Sequence, residues 1–202
     1  MTNASNDNHL FRPNSYIGRT VPRPNARRLL NGRGNYTDDT KLPRMVHVAF
    51  LRSPYAHARI NKIDKNQATK APGVVAVGDG HDLAEVCAPW VGVLAHLEGM
   101  KSAEQHALAI KKASWEGEPV VAIVASTRAL AEDALELIKV EWDILPVVTD
   151  MEDALEEDSE VIHESLGDNL AWRRTMDAGD VGASFDHAAH IIEERYISNR
   201  HT

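Results

Sequence analysis

LLNGRGNYTDDTKLPRMVHVAFLRSPYAHARINKID, residues 29–64, decides how the chain is read. Its first part, Asn31 to Asp39, is turn chemistry: Gly32 and Gly34 can take positive φ, and Asp38 and Asp39 favour turns and caps. Leu42-Pro43 closes this irregular piece. Two strands are expected next, over 45–52 and 57–64, joined by Ser53-Pro54-Tyr55-Ala56. Val46, Val48 and Phe50 recur at period two on one face of the first strand. In the second, Ala58, Ile60 and Lys62 share a face, while Ile63 falls out of phase. On periodicity alone the pair reads as an ordinary hairpin.

Upstream, residues 1–15 are rich in Asn and Ser, bury little, and are expected to be disordered. Residues 16–30 hold Pro22 and Pro24, which exclude a helix there. They read as an extended arm docked by Tyr16, Ile17, Leu29 and Leu30, with room for one helical turn over Ala26–Leu30.

Downstream, a short helix is expected over 66–70, closed by Pro72-Gly73, then an apolar strand over 74–77. Gly78 to Asp82 is a turn, with Asp79 or His81 leading into a helical turn at 82–86. Residues 87–115 show no clean period; 89–94 suggests strand and 100–112 a helical or irregular piece. Pro119 to Ala125, PVVAIVA, is a continuous apolar run of strand length and should be buried on both faces. Ser126 or Thr127 can cap the following helix, whose apolar face carries Leu130, Ala131, Ala134, Leu135 and Ile138. Ile138, Val140 and Trp142 then alternate as a strand. The acidic run 150–160 reads as a solvated helix and loop. A turn at 176–180, a short helix around Phe185 and an alternating strand at 191–197 follow.

At 43% apolar and 26% charged residues the chain has the composition of an ordinary soluble protein with a real core. No apolar run reaches membrane-spanning length, and the polar start lacks the core of a signal peptide, so cytoplasmic residence is expected. The single cysteine, Cys87, excludes an internal disulfide. Charge is uneven: residues 1–60 balance at +7 and 61–202 at −15. The acidic bulk is a poor nucleic-acid binder, and the basic arm is expected to lie along an acidic surface of its own chain or a partner.

The candidates for chemistry do not assemble into an active site. Gly32 and Gly34 lack the third glycine and the Lys-Ser/Thr of a phosphate loop, and Asp38-Asp39 would repel phosphate. Adjacent Asp38 and Asp39 suit turn and cap roles better than a shared-proton pair. His187 and His190, beside Asp186, share a helix face but lack a third ligand. Ser53 lacks the glycine setting of a hydrolase nucleophile. Cys87, next to Pro89 and Trp90, is expected to be a buried, inert thiol. No catalytic, cofactor-binding or metal-binding residue is assigned within 1–202.

The ordered motifs nevertheless resemble the opening of the large, molybdenum-binding subunit of the molybdenum hydroxylases: carbon monoxide dehydrogenases, aldehyde oxidases and xanthine dehydrogenases. The residues that carry the resemblance are Tyr16-Ile17-Gly18-Arg19, Ala26 to Leu30, Gly32-Arg33-Gly34, Tyr36, Leu42-Pro43, Phe50 to Ile60, Ile63-Asp64, Pro72 to Val74, Gly117 to Ala122, Val140 to Trp142 and Leu145-Pro146. The style of Arg52-Ser53-Pro54-Tyr55-Ala56-His57 looks closer to carbon monoxide dehydrogenase-type subunits than to xanthine dehydrogenases.

The resemblance implies an α+β fold: an α/β hammerhead-like domain with a mixed sheet and short helices over 31–149, plus the extended arm. Residues 150–202 would be a linker and the first strand of the following molybdopterin-binding domain. It further implies oxidative hydroxylation with water as oxygen source at a molybdopterin-type molybdenum cofactor whose ligands lie outside this chain. Iron–sulfur clusters and FAD would sit on partner subunits. This part would be structural, packing on the remainder of the large subunit and the iron–sulfur subunit. An alternative is a separately encoded, non-catalytic subunit of a split hydroxylase; a stop codon after Thr202 would favour it, and an open frame the longer subunit. An apolar face should remain exposed where other domains pack.

Overall fold

The computed structural model describes residues 20–92, 94 and 96–198. The expected disorder of 1–15 and the docking by Tyr16 and Ile17 lie outside the described residues. The chain divides into two units, 1–45 and 46–202.

In the first unit, α1 (Ala26–Leu30) is the single turn for which the two prolines leave room. Leu30 is exposed. Gly32 takes φ +67°, ending the helix in a conformation that costs a side-chain-bearing residue. Asp39 closes a one-turn 3-10 helix, Thr37–Asp39, by accepting the Tyr36 N–H at 3.0 Å, which is the cap role its position allows.

The second unit carries β1 (His47–Arg52), β2 (Ala58–Asp64), α2 (Asn66–Thr69), β3 (Val74–Asp79), α3 (Gly80–Ala84), β4 (Trp90–Val91), β5 (Glu104–Gln105), β6 (Lys112–Ala113), β7 (Pro119–Ala125), α4 (Arg128–Leu135), β8 (Lys139–Ile144) and α5 (Val181–Asp186). Two three-stranded sheets form, ordered β1-β7-β3 and β6-β2-β8, with β4 and β5 as a separate ribbon. Every recorded pairing is antiparallel, so the mixture lies in helices set against sheets rather than in strand direction.

β1 and β2 do not form the expected hairpin. β1 pairs β7, and β2 pairs β6 and β8. The reason is β7, whose Val120, Val121, Ile123 and Ala125 are all buried. Its Val121, Ile123 and Ala125 face is fully buried while Ala122 and Val124 on the other are half-buried, so the expected burial on both faces is only partial; as the central strand β7 takes β1 on one edge and β3 on the other. Ser53 to His57 therefore forms the corner between sheets. The Ser53 Oγ donates to the Tyr55 carbonyl at 2.7 Å and accepts the Tyr55 N–H at 3.1 Å, a local turn bond. The Ser53 N–H and carbonyl bond the Glu118 carbonyl and the Gly117 N–H. β7, α4 and β8 make the second crossing between the same sheets, so α4 links two sheets instead of closing a unit within one.

The phase error at Ile63 resolves into a bulge between Ile60 and Lys62, which returns Ile63 to the packed side against the core. The Thr127 Oγ1 accepts the Leu130 N–H at 3.2 Å and starts α4. Ala131, Ala134 and Ile138 are buried, while Leu130 and Leu135 pack half-buried at the margin. α3 starts two residues earlier than expected, on the Asp79 cap: Asp79 accepts the His81 and Asp82 N–H groups, and Asp82 accepts the Asp79 N–H. Lys65 bridges both carboxylates, 2.7 Å from Asp79 and close against Asp82. That contact, and the Asp79 N–H, hold the Asp82 carboxyl below the usual range, and the same pairing raises Lys65 despite its partial burial.

Residues 100–112 take the irregular of the two forms expected for them, with only the short β5 and the start of β6. Three further expectations are corrected. The 150–160 run forms only a 3-10 turn, Asp153–Leu155. Ile191 to Ile197 pairs with no strand and is exposed on both faces; alternation predicts a strand only where another strand's edge lies beside it. Cys87 is exposed, because the turn after α3 leaves it outside the core.

Candidate functional site

Two surfaces of the second unit have the properties of sites. The first is the open face of β1-β7-β3. Ala49 and Leu51 pack into the core, so Val46, Val48 and Phe50 point the other way, and they are 46%, 50% and 43% exposed. Ala122 and Val124 of β7 lie opposite Phe50 and Val48 and extend the apolar surface. The Arg52 guanidinium rests 5.7 Å from the Phe50 ring centroid and donates to the Gly117 carbonyl at 2.9 Å. The sequence placed these three residues on one face but did not show which face the core would take; Ala49, the smaller residue, is the buried one because α4 lies close above it.

The second is a half-open cavity of about 870 Å³ between residues 102–118 and the 163–166 turn. Lys112, mostly buried, donates to the Ile162 carbonyl at 2.5 Å and to Glu164 at 2.7 Å. The Lys112 bond holds Glu164 below the usual carboxylate range. Burial first, and then the Lys112 charge, pushes His163 down. Glu118 accepts the Ser114 N–H at 2.6 Å, yet burial raises its carboxyl. Behind this wall His57 is buried. Its Nδ1 lies 2.7 Å from the Pro146 carbonyl, which can only accept, so Nδ1 carries the proton; Nε2 is buried without a partner.

Among the described residues, Lys112 and Lys101 lace residues 150–172 to the domain. The Lys101 N–H donates to the Ala171 carbonyl at 2.8 Å, and its ammonium to the Leu166 carbonyl and to Asp168. Asn169 ties the loop to itself through Ala154, Glu160 and Ile162. Lys112→Met is expected to release the 162–166 turn at a cost of about 2 kcal/mol, the scale of lost charge-assisted hydrogen bonds. Hydrogen exchange at the Ile162 and Leu166 amides should speed up while β7 stays protected; unchanged protection at both amides would contradict the clamp.

The weighed candidates do not converge. Ser53 is spent in its turn, and Asp39 caps Tyr36. The His187 Nδ1 sits 2.8 Å from the Ala183 carbonyl at the end of α5. Among the described residues no group of three or more His, Cys, Asp or Glu could hold a metal ion. Nor does any described helix have the length and apolarity to cross a membrane. The large cavity sets Glu104, Glu118 and Glu164 among Lys111, Lys112, His106 and His163, and no glycine loop in its lining cradles a pterin phosphate.

Residues 31–146 match the family described as aldehyde oxidase and xanthine dehydrogenase, a/b hammerhead domain. The chain therefore belongs to this family of molybdenum hydroxylases and carries its hammerhead domain. It is 36% identical over 197 residues to the nicotine 6-hydroxylase large subunit of Paenarthrobacter nicotinovorans, covering 95% of this chain and 24% of the relative. It is 42% identical over 139 residues to the carbon monoxide dehydrogenase large chain of Hydrogenophaga pseudoflava, covering 69% of this chain and 17% of the relative. The crystal structure of quinoline 2-oxidoreductase from Pseudomonas putida 86 superposes with a TM-score of 0.77 at 41% identity, covering 86% of this chain and 22% of that one. The chain spans about a quarter or less of the length of these relatives.

Proposed function

We propose that the chain is the N-terminal part of the molybdopterin-binding large subunit of a molybdenum hydroxylase of the carbon monoxide dehydrogenase or aldehyde oxidase type. In this reading the complete enzyme hydroxylates its substrate oxidatively, with water as oxygen source. The molybdenum cofactor is held by residues outside 1–202, and iron–sulfur clusters and FAD reside on partner subunits. This part is structural: it packs on the cofactor-binding domains and helps to seat the iron–sulfur subunit.

The observation that carries the structural role is the uncovered apolar face of Val46, Val48 and Phe50 on a sheet whose other face is packed. Contiguous apolar area of this kind marks a surface made to be covered. The Val48→Glu, Phe50→Glu double variant tests it. Because both side chains already face outward, the variant should keep its melting temperature within a few degrees. It should fail to co-purify with the cofactor-binding region when the two are expressed as separate chains. Co-purification at the wild-type ratio would exclude this face as the docking surface.

A further inference from the structure

One ammonium group holds both neighbours of a histidine. Lys112 Nζ donates to the Ile162 carbonyl on one side of His163 and to the Glu164 carboxylate on the other. The Lys112 side chain is only 14% exposed, so water screens its charge poorly. His163 is half-buried in the wall of the large cavity, and its carbonyl accepts the Leu166 N–H at 2.9 Å to close the turn. A proton on the His163 ring would therefore set a second positive charge beside Lys112, where burial already disfavours charge. Glu164 draws that proton on, but less strongly than burial and Lys112 resist it, and His57 adds to the resistance. Residues 163–166 form one wall of the cavity, so moving them opens the space behind.

We propose that the 162–166 turn is a pH-operated flap on the large cavity, closed while His163 is neutral and released when His163 takes a proton and is repelled by Lys112. Above the ordinary histidine value of 6.5 the neutral ring costs nothing and closure is complete. Below it the released turn binds the proton while the closed turn resists it, so closure is lost as pH falls. Glu164 does not trigger the same opening at mildly acid pH, because its bond to Lys112 holds its carboxyl below the usual range. Glu118 acts in the opposite sense: burial raises its carboxyl, so its charge works against closure as pH rises. Lys111, His106 and Glu104 complete the charged lining of the cavity. The flap does not depend on where the molybdenum cofactor is held.

Hydrogen exchange of the 202-residue chain at about pH 7.5 and about pH 5.5, corrected for the intrinsic rate, tests the flap across the histidine range. The Ile162 amide, which donates to the Asn169 Oδ1 at 3.0 Å, and the Leu166 amide should lose protection severalfold at the lower pH while the β7 amides keep theirs. Glu118→Gln, without the opposing charge, should lose at least as much. His163→Asn, neutral at both values, should stay closed at both, and His163→Lys, charged at both, should be open at both. His106→Asn should respond as the wild type does, which separates the two histidines of the wall. No loss in either wild type or Glu118→Gln, a pH-dependent loss that survives in His163→Asn, or wild-type protection at neutral pH in folded His163→Lys would each overturn the proposal.

Discussion

Ile123→Asp is expected to leave the second unit without a cooperative fold. Ile123 is fully buried at the middle of β7, opposite Ala49 on one side and Val77 on the other, with Ala131 and Ala134 in the same core cluster. β7 is the strand that both β1 and β3 need, so a carboxylate there is desolvated with no cation within the core. The cost should be about 4 kcal/mol or more, a large share of the roughly 5–15 kcal/mol that holds a typical domain together. Urea titration by far-UV circular dichroism should show no native baseline. A sigmoidal transition within about 1 kcal/mol of wild type would mean that β7 is not the centre of this sheet.

Gly80→Val should produce the second large loss, for a different reason. A Cβ on Gly80 would lie 2.5 Å from the Ala109 carbonyl oxygen and 2.9 Å from its carbon, and both are backbone atoms. Ala109 is buried and its N–H donates to the Pro119 carbonyl at 2.8 Å, so relief means moving a core segment away from β7. Overpacking against backbone should cost about 3 kcal/mol and lower the urea midpoint at an unchanged slope. Gly182→Ala is the control, since its Cβ would have only Asp180 Oδ1 at 3.7 Å; it should be neutral or slightly stabilising. Equal midpoints for the two variants would refute the close approach.

Ionisation of Glu118 gives a pH signature of definite sign. Its folded carboxyl is raised above 4.5 by burial, so its contribution to stability is complete below that value and is lost as pH rises through the raised one. Glu118→Gln removes the charge and keeps an acceptor for the Ser114 N–H. The melting temperature of the variant relative to wild type should therefore climb between about pH 4 and neutrality. A difference that is flat with pH would show that the charge carries no penalty.

Local chemistry in the sequence predicted most elements but not their partners. The Thr127 cap and the helical turn at Ala26–Leu30 follow from side-chain chemistry within a few residues. The pairing of β1 with β7, 67 or more residues apart, does not, because hairpin-length spacing at 53–56 is compatible with either arrangement. The continuous apolarity of β7 held the clue, since a strand of that kind takes the centre of a sheet with a neighbour on each edge. The bulge at 60–62 was visible as the phase error of Ile63. The cavity was illegible, because Lys112, Glu118 and Glu164 are brought together by the return of the 160–168 loop and by no spacing in the chain. The resemblance supplied the family, and the residues themselves supplied no active site.

The central claim is that this domain supports chemistry held elsewhere in a large subunit. The direct measurement is the molybdenum content of the 202-residue chain purified alone from a host that makes the pterin cofactor. The account predicts a folded chain with molybdenum far below one equivalent. One molybdenum per chain, retained through gel filtration, would contradict it.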